Sequence, residues 1–176
     1  ALGSVRVMGT CAVGGQAVGT AAAMAAAMKI PPREVCRHIT ALQQALLKDD
    51  CYIPGFKNED PDDLARAASA RATSFRPGFE PENVLSGVAR REGERSNLWA
   101  SDGIRPGGET LTLTLPEART LRQVRLIFDP NLSLEIMPSI TKKVHERQVK
   151  GMPEELVRDY AVRALRLTLQ EMGVTR

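Results

Sequence analysis

The chain has 176 residues, 26% of them charged and 43% hydrophobic, with a net charge of +3. That is ordinary globular composition, with length for one respectable core or two small ones, and the small charge without an aromatic-interleaved basic stripe argues against nucleic acid. Cys11, Cys36 and Cys51 form no CxxC pair, which excludes a disulfide framework and a structural zinc site.

The first element is the uncharged run Met8–Met28, MGTCAVGGQAVGTAAAMAAAM. It reads as a helix, yet it holds Gly14, Gly15 and Gly19, each costing ~1 kcal/mol relative to alanine inside a helix. Such glycines call for another surface at very close range. Gly9-Thr10 and Gly14-Gly15 predict a helix start that leaves backbone N–H groups free for an anion or an electron-rich heteroatom. The run is long enough for a bilayer, and Gly15-x-x-x-Gly19 matches packed membrane helices. Its few large apolar side chains would drive insertion only weakly, so no membrane span is expected. The opening Ala1-Leu2-Gly3-Ser4-Val5 is not a secretory signal, and GGxxxG is not the dinucleotide fingerprint.

Pro31-Pro32 opens a second helix, with Glu34 in its first turn. Val35, Ile39, Leu42 and Leu46 form its apolar stripe, and Leu47 widens it. Cys36 and His38, two apart on this helix, face different directions and make a poor metal pair; no metal is expected. Residues 49–63 are acidic and carry two prolines and a glycine, an ordered connection pinned by Tyr52, Ile53 and Phe56. A helix start at Asp60 or Pro61 leads into Leu64–Ala67.

From Ser69 the period becomes two. Ser69–Phe75, Thr110–Leu115, Leu121–Asp129, Leu134–Met137 and Ser139–Thr141 read as short strands separated by Gly/Pro/Asn turns, an antiparallel β-sandwich. Near the C-terminus Pro153-Glu154-Glu155 has helix-start chemistry, whereas Asp159–Val162 reads as a strand. The basic patch Lys142, Lys143, His145, Arg147 and Lys150 reads as a solvated strand end or loop.

Arg6 to Ala23, RVMGTCAVGGQAVGTAAA, resembles the last flavin-contacting segment of FAD-dependent oxidoreductases with a glutathione-reductase-like fold. The resemblance implies a short strand and turn leading into a helix whose N-terminus faces the pyrimidine edge of the isoalloxazine ring. There a dipole and backbone donors favour the electron density gathered on reduction. It places Cys11, Ala12, Val13, Gly14, Gly15, Gln16 and Ala17 against the cofactor. It also implies an upstream FAD domain as partner, so FAD is not expected to stay on this piece alone. A start without Met, in a strand-like SVRVM, reads as a fragment.

Residues 69 onward resemble the galactose-binding-like or discoidin-type jelly roll. The carrying residues are Ala70–Ser74, Pro81-Glu82-Asn83-Val84-Leu85-Ser86-Gly87, Asn97-Leu98-Trp99-Ala100-Ser101, Leu111–Leu113 and Val124–Leu126. Bacterial FAD-dependent oxidoreductases that carry such a module are similar to the pair of halves. The expected fold class is α+β: the helical tail of a flavin-binding domain (1–50), a linker (51–68) and an antiparallel jelly-roll sandwich (69–176) that looks incomplete.

The expected function is the C-terminal portion of an FAD-dependent oxidoreductase, supplying the flavin-facing helix and an accessory sandwich. No residue reads as a catalytic acid, base or nucleophile, so the isolated chain is expected to be inactive. The alternative is a non-catalytic carbohydrate or cell-surface binding module. Aromatic residues are only 4% of the chain, Trp99 reads as core, and Arg90, Arg91, Arg95 and Arg105 read as a solvated rim. A docking role therefore outranks sugar binding. The compartment stays open, an exported or periplasmic parent being one option.

Overall fold

The computed structural model describes residues 8–130, 141–148, 151–153 and 156–165. The chain divides into two compact units, Ala1–Arg119 and Thr120–Arg176.

In the first unit, helix α1 spans Met8–Met28 without a break. Its inward face is Ala17, Thr20, Ala21, Met24 and Ala25, spaced three or four apart as one helix face requires; Ala25 is buried and the others are half-buried. This face packs on the following helices. Lys29 closes α1 at φ 55. Its N–H donates to Ala26 O (3.2 Å), and that of Ile30 donates to Ala25 O (3.0 Å), the paired bonds of a Schellman end made without glycine. Pro31 then prevents continuation.

The second helix is not continuous. Pro32–His38 is a 3₁₀ helix, followed by α2 over Ile39–Lys48. Three residues per turn followed by 3.6 shift the phase of the apolar stripe. Val35 and Leu46 are buried as the spacing predicts, while Ile39 between them is 49% exposed. Asp50, at φ 63, ends α2 with a second Schellman pair: Asp50 N to Leu47 O (3.2 Å) and Cys51 N to Leu46 O (2.9 Å).

The connection 51–68 packs within this unit rather than separating two bodies. Gln44 on α2 grips it from both sides, donating through Nε2 to Lys57 O (3.1 Å) and accepting Glu59 N–H at Oε1 (2.7 Å). Lys48 pairs with Asp60 at 2.7 Å. Asn58 N donates to Gly87 O at 2.8 Å, and Arg66 Nη1 donates to Asn58 O. Gly87 sits at φ +78, and a Cβ there would lie 2.9 Å from Asn58 O. Only glycine allows both the turn and the close approach. The expected helix at Leu64–Ala67 is a single 3₁₀ turn.

Strand β1 (Ser69–Ala72) pairs antiparallel with β2 (Leu111–Thr114), with Ser69 opposite Thr114 and Ala72 opposite Leu111. Ala70 is buried, and a 3₁₀ turn at Pro81–Leu85 packs on β1. This is the one sheet among the described residues, so the helix-and-strand class holds while a jelly roll is not what they display. Residues 121–129 alternate as a strand would, yet they carry no ladder, because a strand exists only with a hydrogen-bonded partner. The strands expected at Leu134–Met137 and Ser139–Ile140 lie outside the described residues.

The second unit holds α3, Lys142–Arg147, where a strand end or loop was expected. Its N–H groups at Val144 and His145 both reach Thr141 O at 3.0 Å. Phe128 and Tyr160 bring their rings to 5.2 Å, tilted by 55°.

Candidate functional site

All seven residues expected at the flavin lie on the first half of α1. Cys11, Ala12, Val13, Gly14, Gly15 and Gln16 are exposed, and Ala17 is half-buried on the inward face. Among the described residues the helix begins at Met8, not at Gly14-Gly15. The amides of residues 12–17 are therefore inside the α-helical ladder, bonded four residues back, and are not free end donors. The reason is local: alanine-rich sequence propagates helix through two glycines at ~1 kcal/mol each, and no capping side chain intervenes to start it later. Thr10 and Cys11 have bonding partners of their own.

What the first half of α1 offers instead is a small-residue surface that no described part of the chain covers. A Cβ built at Gly9, Gly14, Gly15 or Gly19 would meet nothing within 4 Å. The close approach that the glycines imply is not made by any described residue of this chain. Val13 is 57% and Val18 70% exposed beside them, apolar surface that water solvates poorly. Thr20 turns its hydroxyl back onto Gln16 O (2.8 Å). No acidic side chain stands in the first turn and no basic one in the last, so the helix dipole is uncompensated by its own side chains. Length and hydropathy alone would also let α1 cross a membrane.

The other candidates fall as follows. His38 and His145 are exposed. Trp99 is half-buried, and its Nε1–H donates to Ser74 O at 2.9 Å. Among the described residues no cluster of His, Cys, Asp and Glu is placed to hold a metal.

Three arginines expected on a solvated rim have carboxylate partners, Arg91 meeting the exposed Glu94 at 3.0 Å. Arg90 forms a two-pronged pair with Asp50, Nη1–Oδ1 3.0 Å and Nη2–Oδ2 3.1 Å. Arg105 pairs with Glu109 at 3.5 Å. Glu109 went unnoticed in the sequence although it is the busiest polar residue near β2. Its side chain, 7% exposed, accepts from Thr73 Oγ1 and from Ser74 Oγ (2.8 Å), and takes Arg105 N–H at 3.2 Å. The Thr73 hydroxyl first, then that of Ser74, hold its carboxyl below the usual glutamate range. The sequence signal was Thr73-Ser74 thirty-odd positions away, which no local pattern links to Glu109.

The first half of α1 is thus a bare small-residue surface, while its second half packs on the 3₁₀ helix and α2. Among models of known families, that of FAD dependent oxidoreductases matches residues 1–46, which span all of α1 and most of α2. The match supports an FAD-dependent oxidoreductase part at this end of the chain. No curated protein and no solved structure matches.

Proposed function

We propose that this chain is the C-terminal portion of an FAD-dependent oxidoreductase. Residues 1–50 complete its flavin-binding domain and the remainder forms an accessory module docked on it. The observation that carries the reading is the coincidence of the family match over 1–46 with an α1 outer face whose glycines nothing in the described chain approaches.

The residues fit FAD as a packing surface rather than as a ring of end donors. Of Cys11, Ala12, Val13, Gly14, Gly15, Gln16 and Ala17, the first six offer exposed and mostly short side chains to such a ring, which can lie at van der Waals distance from the side it meets, while Ala17 on the inward face backs them. FAD, held mainly by the upstream part of the protein, supplies the two-electron redox chemistry. This chain's share is to exclude water from that edge.

We further read residues 69–176 as a shortened galactose-binding-like sandwich with a docking role. The antiparallel β1–β2 pair, joining two of the segments that carry the resemblance, favours it. Expression of the longer native reading frame, followed by a visible absorption scan, tests the whole. Yellow protein that releases FAD on denaturation is expected. A colourless, folded product overturns the assignment.

A further inference from the structure

The segment 116–130 runs across the boundary between the two units, one of which ends at Arg119 while the other begins at Thr120. Every residue in it is exposed. Among the described residues, the backbone of 116–124 enters no helix, no ladder and no backbone hydrogen bond. The segment carries Arg119, Arg122 and Arg125. Arg119 pairs with Glu117 at 3.1 Å, but the two side chains are 59% and 71% exposed, and so open a pair holds the chain only weakly.

An endoprotease takes its substrate as extended chain on both sides of the bond. Cleavage therefore concentrates where the backbone has no bonds of its own to give up. From Met8 onward, the other basic residues of the first unit are each withheld. Arg33, Arg37, Lys48 and Arg71 lie within helices or β1, and Lys29 sits in the Schellman end of α1. Arg76 and Arg105 each precede a proline, whose ring and missing N–H trypsin-like enzymes reject.

The rest are held by backbone bonds or by their side chains. Gln44 bonds the chain on both sides of the Lys57–Asn58 link. Arg66 donates through its N–H to Asp63 O and through its guanidinium to Asn58 O. Arg90 is forked onto Asp50, and the reciprocal bonds of Glu92 and Arg95 close the turn after Arg91. The buried hydrophobic residues Ala25, Val35, Leu46 and Ala70 all precede Arg119, so a cut in 116–130 removes none of them.

We propose that 116–130 is a processing site for a trypsin-like serine endoprotease, which hydrolyses the bond after Arg119 or Arg122 and releases the first unit folded. The arginine side chain enters the anionic specificity pocket of the enzyme. Water adds across the amide: the C–N bond breaks, the arginine keeps a carboxylate, and Thr120 or Gln123 becomes a new amino terminus. The released unit retains residues 1–46, which match the family model, and the β1–β2 pair. The site stands whether or not the FAD reading does.

Limited trypsin digestion of the whole 176-residue chain, followed by intact mass spectrometry, is the test. Cleavage after Arg119 or Arg122 should precede any cut between Met8 and Gly108. Trp99 emission should stay unchanged through it, because the indole remains with the first unit. A synthetic peptide of residues 116–130 sets the rate for chain with no structure to open. The native chain should be cut at these bonds within about a hundredfold of that rate, whereas a site that needs global unfolding falls below it by 10³ or more. An earlier cut between Met8 and Gly108, a shifted emission, or a rate more than about a hundredfold below the peptide would each overturn the proposal.

Discussion

Arg90 and Asp50, forty positions apart, meet as a planar fork on a carboxylate, with two nearly equal bonds of 3.0 and 3.1 Å. Asp50 is also the left-handed residue that ends α2, so one residue closes a helix with its backbone and, with its carboxylate, tethers the segment that follows the 3₁₀ turn at Pro81–Leu85. Both partners are near 40% exposed, which limits the pair to about 1 kcal/mol. Asp50→Asn keeps a residue tolerant of positive φ and removes only the charge. Asp50→Gly relaxes the backbone and removes the whole side chain. In a double-mutant cycle with Arg90→Ala, both should show coupling by urea unfolding, and no coupling in either would refute the tether.

At Gly87 the expected cost is larger. Alanine there keeps φ +78, worth roughly 1–2 kcal/mol of strain in a non-glycine residue, and also drives Cβ to 2.9 Å from a backbone oxygen. Gly55→Ala shares the first term, with φ +79, but meets nothing within 4 Å. Thermal unfolding should therefore rank Gly87→Ala clearly below Gly55→Ala. Equal melting temperatures would show that Asn58 yields without cost.

The α1 glycines should respond with opposite signs in two settings. In this chain Gly14→Ala, Gly15→Ala and Gly19→Ala meet no neighbour, so each should stabilise by about 1 kcal/mol through helix propensity. Circular dichroism would register it as a gain in helix. In the longer flavoprotein, on the reading proposed above, Gly14→Leu should weaken FAD retention because the side chain occupies the ring's place. Undiminished FAD occupancy in that variant would refute the contact.

Glu109 gives a pH dependence. Its carboxyl is held below the usual range by the hydroxyls of Thr73 and Ser74 and by Arg105. The stabilisation is thus fully present above the ordinary glutamate value of about 4.3 and is lost as pH falls through the lower folded value. Glu109→Gln should be less stable than the parent at pH 7, and the gap should narrow as the solution is acidified below that value. A gap that stays constant with pH would remove the carboxylate from the account.

The helices of the first unit were legible because hydrophobic spacing and proline are local signals: Val35 and Leu46 face inward as their spacing requires. What failed was phase and origin. Ile39 points outward because the turn before it is 3₁₀, a choice the sequence does not announce. Gly14-Gly15 reads as a helix start, yet alanines on both sides carry the helix through it. Arg90 looked solvated because its partner lies forty residues back. At the other end, Val124, Leu126 and Phe128 alternate well enough, but alternation states which face is apolar and not which strand lies alongside.

The indole of Trp99, fastened to the Ser74 carbonyl, is the chain's single tryptophan. Its emission reports on the unit ending at Arg119 and on nothing beyond. The other unit holds Tyr160 and no tryptophan, and the second tyrosine, Tyr52, belongs to the first. Excitation at the red edge, where tyrosine does not absorb, therefore follows the first unit alone, and a melting curve so recorded, set against far-ultraviolet circular dichroism of the whole chain, tells whether the two units melt together or in turn.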